Sequence, residues 1–94
     1  MLFEWDEKKN LSNKAKHGLS LETAVLVFQD TNLLSVVDER YQDTEERWTS
    51  VGRIDVTVIY VAHKVREDEN GEEIIRVISA RKAAPREERR YFDQ

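Results

Sequence analysis

The chain has 94 residues, a formal net charge of −4 and no cysteine. This length predicts one domain spanning residues 1–94, and the lack of cysteine excludes disulfides and thiolate zinc sites. The first residues contain neither a basic stretch nor a long apolar run. The sequence therefore predicts no secretory signal, no membrane partner and a cytoplasmic location.

The first third of the chain predicts a short strand and two helices. Residues 2–4 are the candidate strand. Asp6 can cap a helix that ends near His17, because Gly18 suits the left-handed conformation that follows many helices. Ser20 can start a second helix that continues to about Gln29, with apolar residues at helical spacing.

The remainder predicts an antiparallel sheet followed by a helix. Candidate strands are residues 33–37, 47–51, 54–63 and 73–81, with Gly52 and Arg53 as a tight connection and residues 66–72 as a hairpin loop. Pro85 suits the first turn of a helix that runs to about Tyr91. The predicted fold class is α+β, with a short N-terminal strand, two N-terminal helices, a four-stranded antiparallel sheet and a C-terminal helix.

Basic residues are concentrated in two segments of this acidic chain. Residues 8–17 hold four lysines and no acid, and residues 76–94 hold six basic and three acidic side chains. Such clusters suggest a local anionic ligand, although a solvated helix face explains either cluster taken alone. We expect the two clusters to form one surface that includes Lys9, Lys16, Arg81, Lys82 and Arg86.

Several motifs resemble the BrnT family of bacterial type II toxins, in order along nearly the whole chain. They are Phe3-Glu4-Trp5-Asp6 with Lys9, Lys16-His17-Gly18 with Leu21-Glu22 and Ala24, Glu46-Arg47 with Gly52, Val61-Ala62-His63, and Arg76-Val77-Ile78-Ser79-Ala80-Arg81-Lys82-Ala83 with Arg86-Glu87 and Tyr91. The resemblance implies a RelE-like fold and a ribonuclease that arrests translation, with RNA, free or on the ribosome, as substrate. It also implies a BrnA-like antitoxin, an assembly of two toxins with two antitoxins, and DNA contacts made only through the antitoxin.

Cleavage of RNA without a metal needs a base, an acid and cations around the phosphorane. His63 suits acid–base chemistry near neutral pH, or it is an ordinary strand-end histidine that bonds a backbone carbonyl. Arg76 and Arg81 suit phosphate binding. Because they are five residues apart, they share one face only if the strand ends or bulges near Ser79 and Ala80.

Glu46 and Arg47 complete the candidate catalytic set of His63, Arg76, Arg81, Glu46 and Arg47. Arg76 lies in an apolar run and needs an anionic partner, for which Glu46 is the candidate. Glu46 is then either half of a salt bridge or a catalytic base. Arg47 faces the other way in a regular strand, so its role depends on the structure.

The candidate RNA-binding residues are basic or aromatic: Lys9, Lys16, His17, Lys82, Arg86 and Tyr91. Arg86 lies at a helix N-terminus, which suits phosphate. His17 is alternatively a favourable cation at a helix C-terminus, and Tyr91 is either a stacking platform or a core residue. The acidic runs lack the convergent spacing of a metal site, and we predict no cofactor.

Two other interpretations of the sequence remain open. The chain could be a non-catalytic RNA- or ribosome-binding module of the same fold, because its acid–base residues are few. It could also act mainly within a repressor complex in which the antitoxin contacts DNA.

Overall fold

The computed structural model describes residues 1–40 and 46–94. In chain order its elements are β1 (Leu2–Glu4), α1 (Glu7–His17), α2 (Leu21–Ala24), a 3₁₀ segment (Val25–Gln29), β2 (Leu34–Val37), β3 (Arg47–Ile54), β4 (Thr57–Glu67), β5 (Glu73–Lys82) and α3 (Pro85–Phe92). None of the helices in these two ranges has the length and apolar character needed to cross a membrane.

The sheet has five strands in the order β1-β5-β4-β3-β2. This confirms the α+β class but corrects the prediction of a four-stranded antiparallel sheet, because β1 joins the sheet edge in parallel with β5. The other neighbouring strands are antiparallel. A strand of three residues is too short for its sequence to indicate which strand it will pair with. Here Phe3 is directed towards Phe28, with ring centroids 5.3 Å apart, and this packing holds β1 against the sheet.

Helix α1 has the ends that the sequence predicts. The Asp6 carboxylate accepts hydrogen bonds from the backbone N–H groups of Lys8 and Lys9 at 2.8 and 3.1 Å, and Gly18 follows the helix with φ of 69°. The position of the helix depends on Asn13, which is only 6% exposed. Its amide accepts from the Ala80 N–H at 3.1 Å and donates to the Ala80 carbonyl at 2.8 Å. Asn13 therefore binds β5 beyond the stretch that β1 covers.

The second helix is shorter than predicted. Ser20 caps it as expected, accepting from the Thr23 N–H at 3.0 Å, but the α-helix ends at Ala24 and the chain continues as a 3₁₀ segment. Leu21, Ala24 and Val27 are completely buried. Side chains three residues apart lie in line along a 3₁₀ helix. The tighter last turns therefore place Val27 on the same sheet-facing side as Leu21 and Ala24.

Gly52 lies inside β3, and the predicted tight connection at Gly52 and Arg53 is wrong. The hairpin turn between β3 and β4 is instead formed by Asp55 and Val56. A Cβ at Gly52 would lie 2.8 Å from Leu33 Cδ1 and 3.0 Å from Val27 Cβ. The glycine therefore permits the 3₁₀ segment to pack closely on the strand rather than permitting a turn.

The two faces of the sheet are covered unequally. On one face, α2 and the 3₁₀ segment pack over the main core, whose buried strand residues are Ile59, Val61, Ile75, Val77 and Ala80. On the other face, α3 contributes Tyr91 to a smaller cluster with Val51 and Val58. This second cluster lies at one end of the sheet. The rest of that face has no helix over it among the described residues, and we call it the open face.

Candidate functional site

A row of charged residues crosses the open face. Register pairs Arg47 on β3 with Lys64 on β4, Lys64 with Arg76 on β5, and Arg76 with Glu4 on β1. All four are partly exposed. Adjacent strands are about 4.8 Å apart, so three cations lie side by side and raise the local positive potential. We call these four residues the charged row.

A β-bulge in β5 brings Arg76 and Arg81 to the same face. Between the two arginines the pairing with β4 shifts by one residue, which leaves Ile78 without a partner of its own. Arg76 therefore pairs with Lys64 and Arg81 with Tyr60, and these two partners are four residues apart on β4. The sequence required a bulge or a strand end between the two arginines for them to share a face, and this bulge fulfils that condition. Its extra residue reverses the alternation of side chains between the two faces.

Arg76 forms its ion pair with Glu4 and not with Glu46. Its Nη1 lies 3.3 Å from Glu4 Oε1, and Arg66 also binds this carboxylate. Hydrogen bonding from Arg66, with a further contribution from Arg76, holds the pKa of Glu4 below its usual value. Glu46 is exposed immediately before β3. Strand β4 separates the start of β3 from Arg76, whereas β1 lies directly beside it.

Arg81 holds α3 in place. Its guanidinium binds the Glu87 carboxylate with two bonds of 2.8 and 2.9 Å, and this pairing raises the pKa of Arg81. The guanidinium carbon lies 4.1 Å from the centroid of the Tyr60 ring. Glu87 also accepts from the Ala84 N–H at 2.8 Å, which caps the helix. Arg86 is exposed on α3 and lines a cavity of about 400 Å³.

His63 lies on the other face of the sheet, in the core. It is 2% exposed, its Nε2 is 2.7 Å from Ser50 Oγ, and its ring packs edge-on against Phe28. Burial lowers the pKa of His63 to about 4. A buried imidazole that is neutral at pH 7 does not fit the expected acid–base role. Alternation along β4 directs its neighbour Lys64 to the open face instead.

The other candidates do not form one surface. Lys82 follows Arg81 in β5 and points to the opposite side of the sheet, where it lines a groove together with His17. Lys9 and Lys16 are exposed on α1. The expected single surface for the two basic clusters is therefore divided by the sheet.

Tyr91 is a core residue of α3. It is 5% exposed, and its hydroxyl donates to Asp30, which raises the pKa of Tyr91. A buried ring cannot stack on a base without displacing α3, so this location favours the core alternative for Tyr91.

Sequence reasoning missed Lys64 and the pairing of Glu4 with Arg76. Side chains alternate between the two faces along β4, so a buried His63 would have indicated that Lys64 lies on the open face. The burial of His63, however, depends on tertiary packing and could not be predicted from the sequence. Within residues 1–40 and 46–94, no three histidine or acidic side chains are grouped so that they could hold a metal ion.

The fold and this site define a small α+β domain with a cationic sheet surface suited to an anionic ligand. Residues 5–87 match the family described as ribonuclease toxin, BrnT, of type II toxin-antitoxin system. Since the match covers most of the 94 residues, the chain belongs to the BrnT family. Membership makes it a type II ribonuclease toxin, with RNA as substrate and an antitoxin protein as partner. No curated protein matches the chain.

Proposed function

We propose that this chain is a metal-independent endoribonuclease with a RelE-like fold, which cleaves RNA on the open face and thereby arrests translation. The observation that carries the proposal is the alignment of Arg47, Lys64 and Arg76 on three adjacent strands. Cations fixed before the reaction stabilise the charge that develops on the phosphorane, and such stabilisation often contributes more to catalysis than any other effect. Arginine forks match phosphate oxygens with two bonds.

The charged row also supplies proton-transfer groups. Glu4 is ionised at neutral pH, since glutamate ordinarily titrates at about 4.3 and its arginine partners lower its pKa further. As a carboxylate it can accept the proton of the 2′-hydroxyl when that oxygen attacks the adjacent phosphorus. The bond from phosphorus to the 5′-oxygen breaks, and the Lys64 ammonium donates a proton to the departing oxygen. The products are a 2′,3′-cyclic phosphate and a 5′-hydroxyl. Arg76 neutralises the phosphorane oxygens.

The remaining candidates take supporting places in this proposal. Arg81 positions α3 through Glu87, and Arg86 offers a phosphate contact at the N-terminal turn of that helix. RNA would then run from the charged row towards the cavity beside Arg86. Glu46 lies exposed next to Arg47, and we assign it no step in the reaction.

The test is cleavage of a short RNA oligonucleotide in excess EDTA, with the product ends identified by mass spectrometry. Arg76→Ala and Lys64→Ala should each lower kcat at least 100-fold, about 3 kcal/mol of transition-state stabilisation. Lys8→Ala is the control, because it removes an exposed cation from α1, and it should stay within two-fold of the parent. Activity that EDTA abolishes and Mg²⁺ restores would overturn the mechanism.

A second candidate function is an RNA- or ribosome-binding module without cleavage. One observation favours it: neither His17 nor His63 belongs to the charged row, so the row holds no group that titrates near neutral pH in its ordinary state. Such a module would bind the oligonucleotide with a steep dependence on salt, because phosphate binding releases counterions. It would yield no cyclic phosphate at any time.

We further propose that the antitoxin is BrnA-like and joins two toxin chains through a pair of antitoxin chains. Light scattering of the purified complex should then give the mass of two toxins and two antitoxins. A complex with one copy of each chain would contradict this stoichiometry.

A further inference from the structure

A groove lies at one end of the sheet, on the side that α1 and α2 cover. The C-terminal end of α1, the start of α2 and the hairpin turn between β3 and β4 enclose a cavity of about 400 Å³. This volume is within the range of small binding pockets. We call this cavity the end groove. Its lining includes the apolar Leu19, Ile54, Val56 and Ile59, and the basic His17 and Lys82.

The hairpin turn presents an apolar side chain beside the end groove. Val56 is 89% exposed, the largest value among the exposed hydrophobic residues of the described chain. The residue before it, Asp55, has φ of 54°, a left-handed conformation that aspartate adopts in turns more readily than most residues other than glycine. A single exposed valine is ordinary. Here, however, Val56 extends the apolar lining of a cavity, so the two form one surface.

The rim of the end groove is positively charged in a chain whose net charge is −4. Lys82 and His17 line the groove, and Lys14 and Lys16 lie in the same last turn of α1 as His17. Within residues 1–40 and 46–94, neither Lys82 nor His17 has an ion-pair partner. Asp55 is the acidic residue in the lining. Glu22, next to the lining residue Thr23, adds a second acid in the first turn of α2. With the histidine neutral, Lys14, Lys16 and Lys82 still outnumber these two acids, and an acidic ligand is complementary to this end of the molecule.

The apolar lining indicates which kind of acidic ligand fits. RNA phosphates need cations but no aliphatic contacts, and the charged row already offers such a surface. A protein segment needs a buried apolar anchor, because exposed ion pairs contribute only about 0–1 kcal/mol each. The end groove supplies both requirements side by side. Its chemistry therefore favours a peptide over a nucleic acid.

We infer that the end groove binds an acidic, amphipathic segment of the antitoxin. An aliphatic side chain of that segment packs against Leu19 and Val56, and its carboxylates bind Lys82 and His17. The inference rests on the proposed function only in taking the antitoxin as the partner. The groove and the charged row lie on opposite sides of the sheet, so this segment of the antitoxin leaves the row accessible.

The test measures the affinity of the separately purified cognate antitoxin for chain variants. Lys82→Glu and Val56→Asp should each raise Kd at least ten-fold, and Val56→Asp should leave the cleavage rate of the free chain within two-fold of the parent. Both residues are exposed, so the substitutions should not disturb the core, and circular dichroism checks this. Lys8→Glu is the matched charge control on the first turn of α1 and should change neither quantity.

A third variant separates this inference from the proposed function. Lys64→Glu on the charged row should lose cleavage and keep antitoxin affinity. If the groove variants bind antitoxin within two-fold of the parent, or if Lys64→Glu is the variant that loses antitoxin, the docking site is elsewhere. If the parent chain cleaves no RNA but the groove variants still lose antitoxin, the proposed function fails and the docking site stands.

Discussion

Replacement of His63 by glutamine should remove most of the pH dependence of stability between pH 7 and pH 5. The imidazole titrates near 6.5 in an unfolded chain and at about 4 in the folded one. The unfolded state therefore binds the proton first, and the stability that His63 contributes is present above pH 6.5 and is lost as the pH falls towards 4.

The expected magnitude follows from this difference in pKa. The full difference corresponds to about 3 kcal/mol, and about 2 kcal/mol of it is lost between pH 7 and pH 5. Glu4 and Asp30 contribute at lower pH, because their pKa values are held below the ordinary carboxyl range. The interval from pH 7 to pH 5 therefore isolates the histidine, which is 2% exposed and so little screened by solvent.

Urea unfolding at several pH values measures the effect. The parent chain should lose about 2 kcal/mol of unfolding free energy between pH 7 and pH 5, and His63→Gln should lose a small fraction of that. Lys8→Gln replaces an exposed side chain of α1 and should keep the parental slope. The same slope in parent and His63→Gln would refute the argument from burial. A folded His63→Gln chain with cleavage reduced 100-fold would restore the acid–base role expected from the sequence.

Two further substitutions test what positions the open face. Asn13→Ala should lower the free energy of unfolding by about 2–4 kcal/mol, because it leaves the buried N–H and carbonyl of Ala80 without their side-chain partner; loss of less than 1 kcal/mol in urea would contradict the importance of this contact. Gly52→Ala should cost about 1–3 kcal/mol from overpacking against Val27, and thermal unfolding at or above the parental Tm would show that the 3₁₀ segment can move away at no cost.

The ends of the helices could be predicted from the sequence because capping is a local interaction. Asp6 bonds to the backbone two and three residues ahead of it, and Gly18 takes its left-handed conformation at the next helix end. Pro85 begins α3 as predicted. The order of elements, and with it the α+β class, follows from such signals and from the apolar spacing. These interactions span only a few residues, so the neighbouring residues in the sequence are enough to predict them.

Which side chains share the candidate site was decided by the tertiary structure. The pairing of Arg76 with Glu4 joins residues 72 positions apart, and it forms because β1 lies beside β5 in the sheet. The bulge at Ile78 reverses the alternation for every residue on one side of it. The orientation of β4 buries His63 and exposes Lys64. Strand register depends on how two distant segments pack together, and a shift of one residue exchanges the two faces. The sequence therefore determined which residue types were available for RNA chemistry, and packing determined which of them meet on the open face.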